Sequence, residues 1–582
     1  MGAGLSFRHL ARIPFSRQSQ INVKRNQIRS LWVKNTMSQL PRSAGLWPKY
    51  VNCFVVIAVV LIALPIFSGV AAATELTVSP TSENFGTVTV GTSLSETITL
   101  TNESTSTIKV SNVPIWGTGF SLKGITTPLI LSAHQVFMFQ VVYDPPSGTA
   151  STGGMIVISN AADSPQRLTL SGTGWVPVSA VVPGTLFGLA LHPEVLNDRV
   201  PWPSIPFGAI RLWDTETQWS LLNPSEGTYN FAELDSWFNI AAQNGKTDLI
   251  YTFGIVPQWA SSNKNDQTCV SGNSGPGSCD PPYDLNADGS GADQIWQDFV
   301  TAIVAHAAGR IKYWELWNEP DCPYEWKGTD AQLVRMAKDA YAIIKAADPT
   351  AMVTTPSFVD AGSGKSIDIS LPAYLAAGGG AYADIVAFHA YVNPALGQVP
   401  ESITKTVDQV TSSLTGTMTS KPIWNTEGGW TQNTNLPNAD MEAAFVARVY
   451  ILQWFKGVGR FYWFQYGNTD TGTFWTSAGL NPAGVAYGQV YDWLVGATLT
   501  GPCVATGATS SVWTCPFTKP GGIQEMAVWD ASKTCTGNSC GSSNYTPSSI
   551  YTKYTNLAGN VTSFAPGATI QIGPEPILLQ NK

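Results

Sequence analysis

The sequence predicts a multidomain chain in which a (β/α)8 TIM barrel lies between two β-sandwich modules. Three observations predict it. The chain has 582 residues, too many for one domain and enough for a large barrel with smaller neighbours. Between about residues 185 and 495, apolar runs alternate with stretches of helical periodicity, the pattern of β/α units on a parallel sheet. On either side, in residues 75–175 and 496–582, short strands are separated by Gly, Ser, Asn, Thr and Pro turns.

Composition narrows the class. Charged residues are only 12% and aromatics 11%, with 21 Trp, 53 Gly and 38 Pro, which suits a loop-rich extracellular protein that touches sugars. The formal charge is −8, yet the nine Lys/Arg before residue 50 face no acidic residue, so the remainder carries −17. A nucleic-acid partner is not expected.

The chain opens with a basic leader, residues 1–50, followed by an uncharged apolar segment, residues 51–73. That segment is either the core of a signal peptide, with Ala71-Ala72-Ala73 as the small residues before a cut, or an uncleaved membrane anchor. A start at Met37 would leave a leader of ordinary length, with Arg42 and Lys49 as its basic part. Both readings export the bulk of the chain, so the protein is expected to be secreted, or extracytoplasmic and membrane-anchored.

Cysteine usage agrees with export. Cys53 lies in the apolar segment, and Cys269/Cys279, Cys503/Cys515 and Cys535/Cys540 are close neighbours in polar loops, where local disulfides are the economical pairing. Sequence does not fix that connectivity, and Cys322 is left over. No Cys/His cluster has metal-ligand spacing, so neither metal nor cofactor is expected.

In residues 75–175 the pairs Ile98/Leu100, Met155/Val157 and Leu168/Leu170 alternate with polar residues, as strands of a half-buried sheet do. A short Val/Pro-rich linker, residues 176–184, follows. Eight candidate strands come next: residues 186–191, 208–213, 247–253, 311–317, 351–355, 384–389, 422–427 and 460–465. Between them, Leu234, Trp237, Phe238 and Ala241 repeat at helical spacing before Gly245, a residue suited to end a helix. Leu333, Met336, Ala340, Ile343 and Ile344 do the same between Thr329, which predicts an N-cap, and Pro349. Eight such units over roughly 300 residues predict the barrel, whose chemistry belongs at the carboxyl ends of the strands.

Two of those ends carry a carboxylate. Trp314-Glu315-Leu316-Trp317-Asn318-Glu319-Pro320 closes the fourth strand, and Pro422-Ile423-Trp424-Asn425-Thr426-Glu427 closes the seventh. Asn-Glu-Pro after an apolar strand resembles the fourth barrel strand of the clan A glycoside hydrolases, and the second motif resembles the clan's seventh strand. The wider phrases Trp-Asn-Glu-Pro and Phe-His-Ala-Tyr are most similar to the family 39 (β-xylosidase/α-iduronidase) and family 5 type. The resemblance implies a retaining glycosidase with Glu319 as acid/base, Glu427 as nucleophile and Asn318 holding the sugar 2-hydroxyl. It further implies that Tyr391, in Phe388-His389-Ala390-Tyr391, bonds the nucleophile and that His389 lines the sugar site. Arg211, at the second strand's end, either steadies the nucleophile or pairs with Glu315, which alternation puts on the same face as Glu319. Trp463 is expected beneath the reacting sugar. Trp430 and Trp259, with Trp213, Trp219, Trp326 and Trp475, are expected as aromatic walls in strand-end loops. Residues 75–175 resemble immunoglobulin-like domains of the abnormal-spindle/hydin type, which implies a spacer or a cell-surface contact. The expected substrate is a plant or microbial β-glycan; the other class open to the sequence is a non-catalytic carbohydrate-binding or adhesion protein.

Overall fold

The computed structural model describes residues 75–581 apart from 177–179, 271–273, 360–365, 432–435, 437, 468–471, 507–510 and 538. The leader, Met37, Cys53, the apolar segment 51–73 and part of the linker lie outside the described residues. The described residues make one compact unit.

The centre of that unit is a run of parallel strands: β1 (Phe187–Ala190), β2 (Ala209–Leu212), β3 (Leu249–Thr252), β4 (Tyr313–Glu315), β5 (Met352–Thr354), β6 (Val386–Val392), β7 (Ile423–Trp430) and β8 (Val458–Trp463). Their order is β5-β4-β3-β2-β1-β8-β7-β6, with Phe358–Val359 added beyond β6. Single-residue parallel bridges, Thr354 to Ile385 and Asn318 to Ser357, link the two ends of the run, and the arrangement fits a TIM barrel. Burial explains the parallel pairing. Every residue of β1, β2, β3 and β7 is buried, as happens only where helices cover the sheet. Those helices are α1 (Ala232–Gln243), α2 (Gln294–Ala307), α3 (Asp330–Ala347), α4 (Ile367–Ala376), α5 (Ile403–Ser412), α6 (Ala439–Phe455) and α7 (Pro482–Leu494).

Local signals act as the sequence leads one to expect. Thr329 caps α3 in a reciprocal capping box with Gln332, and Gly245 follows α1 with φ +66°. Two strand boundaries differ. The seventh strand runs three residues past Glu427, so that Glu427 lies inside β7, and the fourth stops at Glu315, leaving Asn318 and Glu319 in the loop.

The N-terminal β-rich region holds two sheets, one of four strands and one of six. Ile98, Leu100, Phe139 and Val141 from the first share a buried core with Met155, Val157, Leu168 and Leu170 from the second. The C-terminal region carries a seven-stranded antiparallel sheet whose Phe517 and Trp529 join the barrel's core. Phe517 meets Trp454 of α6 edge-on, and the Trp529 indole donates to Glu401, which also pairs with Arg448. This region therefore packs against the barrel. All three neighbouring cysteine pairs form disulfides, and Cys322 stands outside them. Among the described residues no helix is long and apolar enough to cross a membrane.

Candidate active site

Arg211, buried at the end of β2, is the hub. Its Nε donates to Glu315 Oε2 at 2.8 Å, Nη1 to Glu427 Oε2 at 2.5 Å and Nη2 to Asn318 Oδ1 at 2.8 Å. Arg211 thus touches both carboxylates that the sequence sets as its alternatives, Glu427 and Glu315. A planar guanidinium has five donors in a fixed fork, so one side chain can serve two carboxylates and an amide. Glu315 is completely enclosed and also accepts from Thr252 and Thr426 at 2.6 Å each. Burial raises its pKa, but Arg211 and then His389 outweigh burial and hold it well below the usual carboxylate range. Arg211 is likewise kept charged, since Glu315 and Glu427 overcome the cost of burial.

Glu427 reaches this hub because β6 and β7 pair His389 with Glu427. The strands approach so closely that a Cβ on Gly428 would sit 2.4 Å from the Ala390 carbonyl, which only glycine permits. The Tyr391 hydroxyl donates to Glu427 Oε1 at 2.5 Å. Burial first, then Glu427 and Glu319, push the Tyr391 phenol well above its ordinary value, so it remains a donor. Glu427 therefore has each carboxylate oxygen held by a fixed hydrogen.

Glu319 sits just beyond β4 with φ +40°, a left-handed conformation rare for a side chain of this size and a local strain of the kind found at functional sites. His389 Nδ1 lies 2.8 Å from its Oε1, and Cys322 Sγ donates to its Oε2 at 3.6 Å. Burial lowers the His389 pKa, but Glu427, Glu315 and Glu319 bring it up to about 9. Arg211 Nη2, 3.2 Å from Nε2, instead calls for an unprotonated nitrogen there. In either state Nδ1 has a hydrogen for Glu319. One carboxylate oxygen of Glu319, one of Glu427 and a His389 nitrogen all lie within 4.8 Å of one another. The same trio has a spacing that suits a cation, but Arg211, Tyr391 and the His389 hydrogen already occupy its oxygens.

Sequence reasoning missed the carboxyls that surround this pair. Burial, opposed by Arg211 and assisted by Glu319, pushes Asp214 up to about 6. Burial followed by the Glu319 and Glu427 charges pushes Glu325 up to about 8. Burial likewise takes Asp321 up to about 7 against the Val359 N–H that it accepts. Asp214 Oδ2 and Glu325 Oε2 are shut away from water without a hydrogen-bond partner. Asp214 directly follows Trp213 at the second predicted strand's end, and that position was its one available signal.

The aromatic expectations divide. The structure does not bring Trp463 to the cluster: it is fully buried, stacked on Phe474, and its indole donates to Gly472 O. Trp430 packs edge-on against Trp463 and Phe445 of α6, on the helix side of the sheet. Phe464, one residue on, meets Tyr391 edge-on at 6.4 Å and is the ring beside the cluster. Trp219 is core, stacked on Phe299, while Trp259 is half-buried and donates to Asn223 O. A cleft of about 980 Å³ reaches the cluster only through Asp214, its other walls being residues such as His192, Glu194, Glu216 and Glu233. The cluster, not the cleft, locates the chemistry.

Residues 280–468 match the model of the cellulase family, glycosyl hydrolase family 5. Among solved structures, the chain is similar to a family 39 glycoside hydrolase from Bacteroides cellulosilyticus WH2, with 16% identity over 85% of this chain and 98% of that one, and a TM-score of 0.49. It is similar to a glucosidase from Croceicoccus marinus, with 16% identity over 69% and 96% of the two chains and a TM-score of 0.48. A third likeness is to the catalytic domain of GH30 xylanase C from Talaromyces cellulolyticus, with 12% identity over 69% and 97% and a TM-score of 0.46. The matched segment contains both Glu319 and Glu427, and it is a glycoside hydrolase domain.

Proposed function

We propose that this glycoside hydrolase is a retaining enzyme that acts outside the cell on β-glycosidic bonds of a plant or microbial polysaccharide or oligosaccharide. Glu427 is the nucleophile and Glu319 the acid/base. The close approach of the two carboxylates carries the reading. Their oxygens come within 4.8 Å of each other, whereas an inverting pair leaves about 6.5–9.5 Å between carboxyls to admit a water.

In the first step a Glu427 oxygen attacks the anomeric carbon while the glycosidic C–O bond breaks, and Glu319 gives its proton to the departing oxygen. In the second, water passes a proton to Glu319 as its oxygen displaces Glu427 from the sugar. Arg211 and Tyr391 hold Glu427 in one orientation, and Asn318, fixed by Arg211, is set to meet the sugar 2-hydroxyl. His389 orients Glu319, and Trp259 contributes a half-buried ring to the approach. Three disulfides support an oxidising compartment, and hence export. In this reading the N-terminal region is an immunoglobulin-like β-sandwich serving as spacer or surface contact, and the C-terminal region is a small β-sandwich that braces the barrel.

The test is hydrolysis of a panel of aryl β-glycosides and polysaccharides by the wild type, Glu319→Gln and Glu427→Gln. The expected result is turnover of at least one substrate, falling about 10³-fold or more in both variants. Wild-type rates in either variant, or no turnover by the wild type on any substrate, would overturn the reading.

A further inference from the structure

Cys322 is the cysteine that the sequence leaves over, and the structure puts it against Glu319. Among the described residues it alone stands outside the disulfides, and it is completely enclosed. Its Sγ donates to Glu319 Oε2 at 3.6 Å, while the other carboxylate oxygen, Oε1, lies 2.8 Å from His389 Nδ1. The two oxygens of this carboxyl therefore have different partners.

The local chain fixes the contact with the thiol. Cys322 N–H donates to the Glu319 carbonyl at 2.9 Å and closes a four-residue turn, 319–322, with Pro320 at its second position, where the preset φ of proline is favoured. Such a turn brings its first and fourth Cα atoms within about 7 Å, so the two side chains are neighbours. The turn is anchored before, within and after. Glu319 N–H donates to Ser357 O at 3.0 Å, and Val359 N–H donates to Asp321. Cys322 O accepts from Glu325 N at 2.9 Å and from Trp326 N at 3.0 Å.

A thiol suits this position for a chemical reason. The acid/base of a retaining enzyme holds a proton in the first step and is ionised before the second. His389 keeps a hydrogen on Nδ1 in either of its states, so Oε1 is an acceptor throughout and the catalytic proton belongs on Oε2. A thiol is both a weak donor and a weak acceptor. It accepts from Oε2–H before the proton leaves and donates to Oε2 afterwards, its own proton staying on sulfur. A hydroxyl there would favour the carboxylate more strongly and draw the proton off at lower pH, because a hydrogen bond to the charged form lowers a carboxyl's pKa. The other groups facing Glu319 are His389 and Tyr391 of β6, Glu427 of β7, Asp214 beyond β2, and, in its own segment, Asp321, Glu325 and Tyr324, whose hydroxyl also bonds Cys322. Four of these are carboxyls, and their charge opposes ionisation of Glu319.

We propose, on the assignment of Glu319 as acid/base, that Cys322 is a positioning residue whose thiol fixes Oε2 of Glu319 as the oxygen that gives and recovers the catalytic proton.

The test uses the full chain as wild type, Cys322→Ser, Cys322→Ala and Glu319→Gln. Each is assayed across pH on two aryl β-glycosides of a sugar that the wild type hydrolyses. One carries a phenyl leaving group, which needs a proton to depart, and the other a dinitrophenyl group, which does not. Thermal midpoints follow the fold. Cys322→Ala should lose about tenfold more kcat/KM on the phenyl than on the dinitrophenyl glycoside. Cys322→Ser should move the alkaline limb of the kcat/KM profile, which reports the acid, about half a pH unit or more towards lower pH. Equal losses on both glycosides with an unmoved limb in both variants would make the contact merely structural and overturn the proposal. A collapse of Glu319→Gln on the phenyl glycoside, with both Cys322 variants indistinguishable from wild type, would overturn this proposal alone. A Glu319→Gln that keeps wild-type rates on the phenyl glycoside would remove the acid/base assignment itself, and this proposal with it.

Discussion

Two of the arginines buried in the barrel, Arg460 and Arg211, sit at opposite ends of its strands and are built differently. Arg460, near the N-terminal ends of the strands, pairs with Asp248, with Nη2 2.9 Å from Oδ2, and lies 4.1 Å from the ring centres of both Tyr313 and Trp424. One cation meets one carboxylate between two aromatic faces, and the local charge closes. Arg211, at the opposite ends, answers to Glu315 and Glu427 at once, with His389, Glu319 and Asp214 close by. There the charge does not close. A plug at the bottom of a barrel is expected to hold the fold, whereas a surplus of carboxylates at the top is a reservoir for chemistry.

The comparison is broken or sharpened by truncating each arginine in turn. Arg211→Met leaves Glu315 buried without its counter-ion, so it should cost about 3–5 kcal/mol of stability and abolish measurable turnover. Chemical denaturation and kinetics on the same preparation check this; a stable, active Arg211→Met would dissolve the distinction. Arg460→Met strands Asp248, which is part-exposed, and should cost less, about 1–3 kcal/mol, with kcat/KM of the folded enzyme within about twofold of wild type. A large loss of kcat/KM there would mean that the two ends are coupled.

The smallest effect is one of pH. Glu325 titrates at about 8 in the folded chain, against about 4.3 for an unperturbed glutamate. The folded state binds that proton more tightly. Its stabilising contribution is therefore complete below about pH 4 and is lost as pH rises through about 8. Asp321, at about 7, and Asp214, at about 6, slope the same way. Wild-type thermal midpoints should fall between pH 5 and 9, and Glu325→Gln should flatten that fall. An unchanged pH profile in Glu325→Gln would place the surplus charge elsewhere.

Much of this was legible in the sequence for physical reasons. The strands and helices of the barrel announce themselves because covered parallel strands are apolar runs and the helices keep a 3.6-residue period. Glu319 and Glu427 stand out because a carboxylate at the end of an apolar strand has no structural excuse. The same burial hides other features. From Arg460 onward β8 is buried on both faces, so alternation does not tell inside from outside, and the ring beside Tyr391 is Phe464, one residue beyond Trp463. Asp214 and Glu325 lie in irregular segments whose paths are set by tertiary contacts. The role of Arg211 was posed as a choice because sequence does not display that one guanidinium can reach both partners.

The most direct test of the central claim is the anomeric configuration of the first-formed product, followed by proton NMR on a β-glycoside that the wild type hydrolyses. Double displacement through Glu427 and Glu319 predicts that the β-anomer appears first and only later mutarotates. An α-anomer appearing first would mean a single displacement by water and would contradict the assignment of Glu427 as nucleophile.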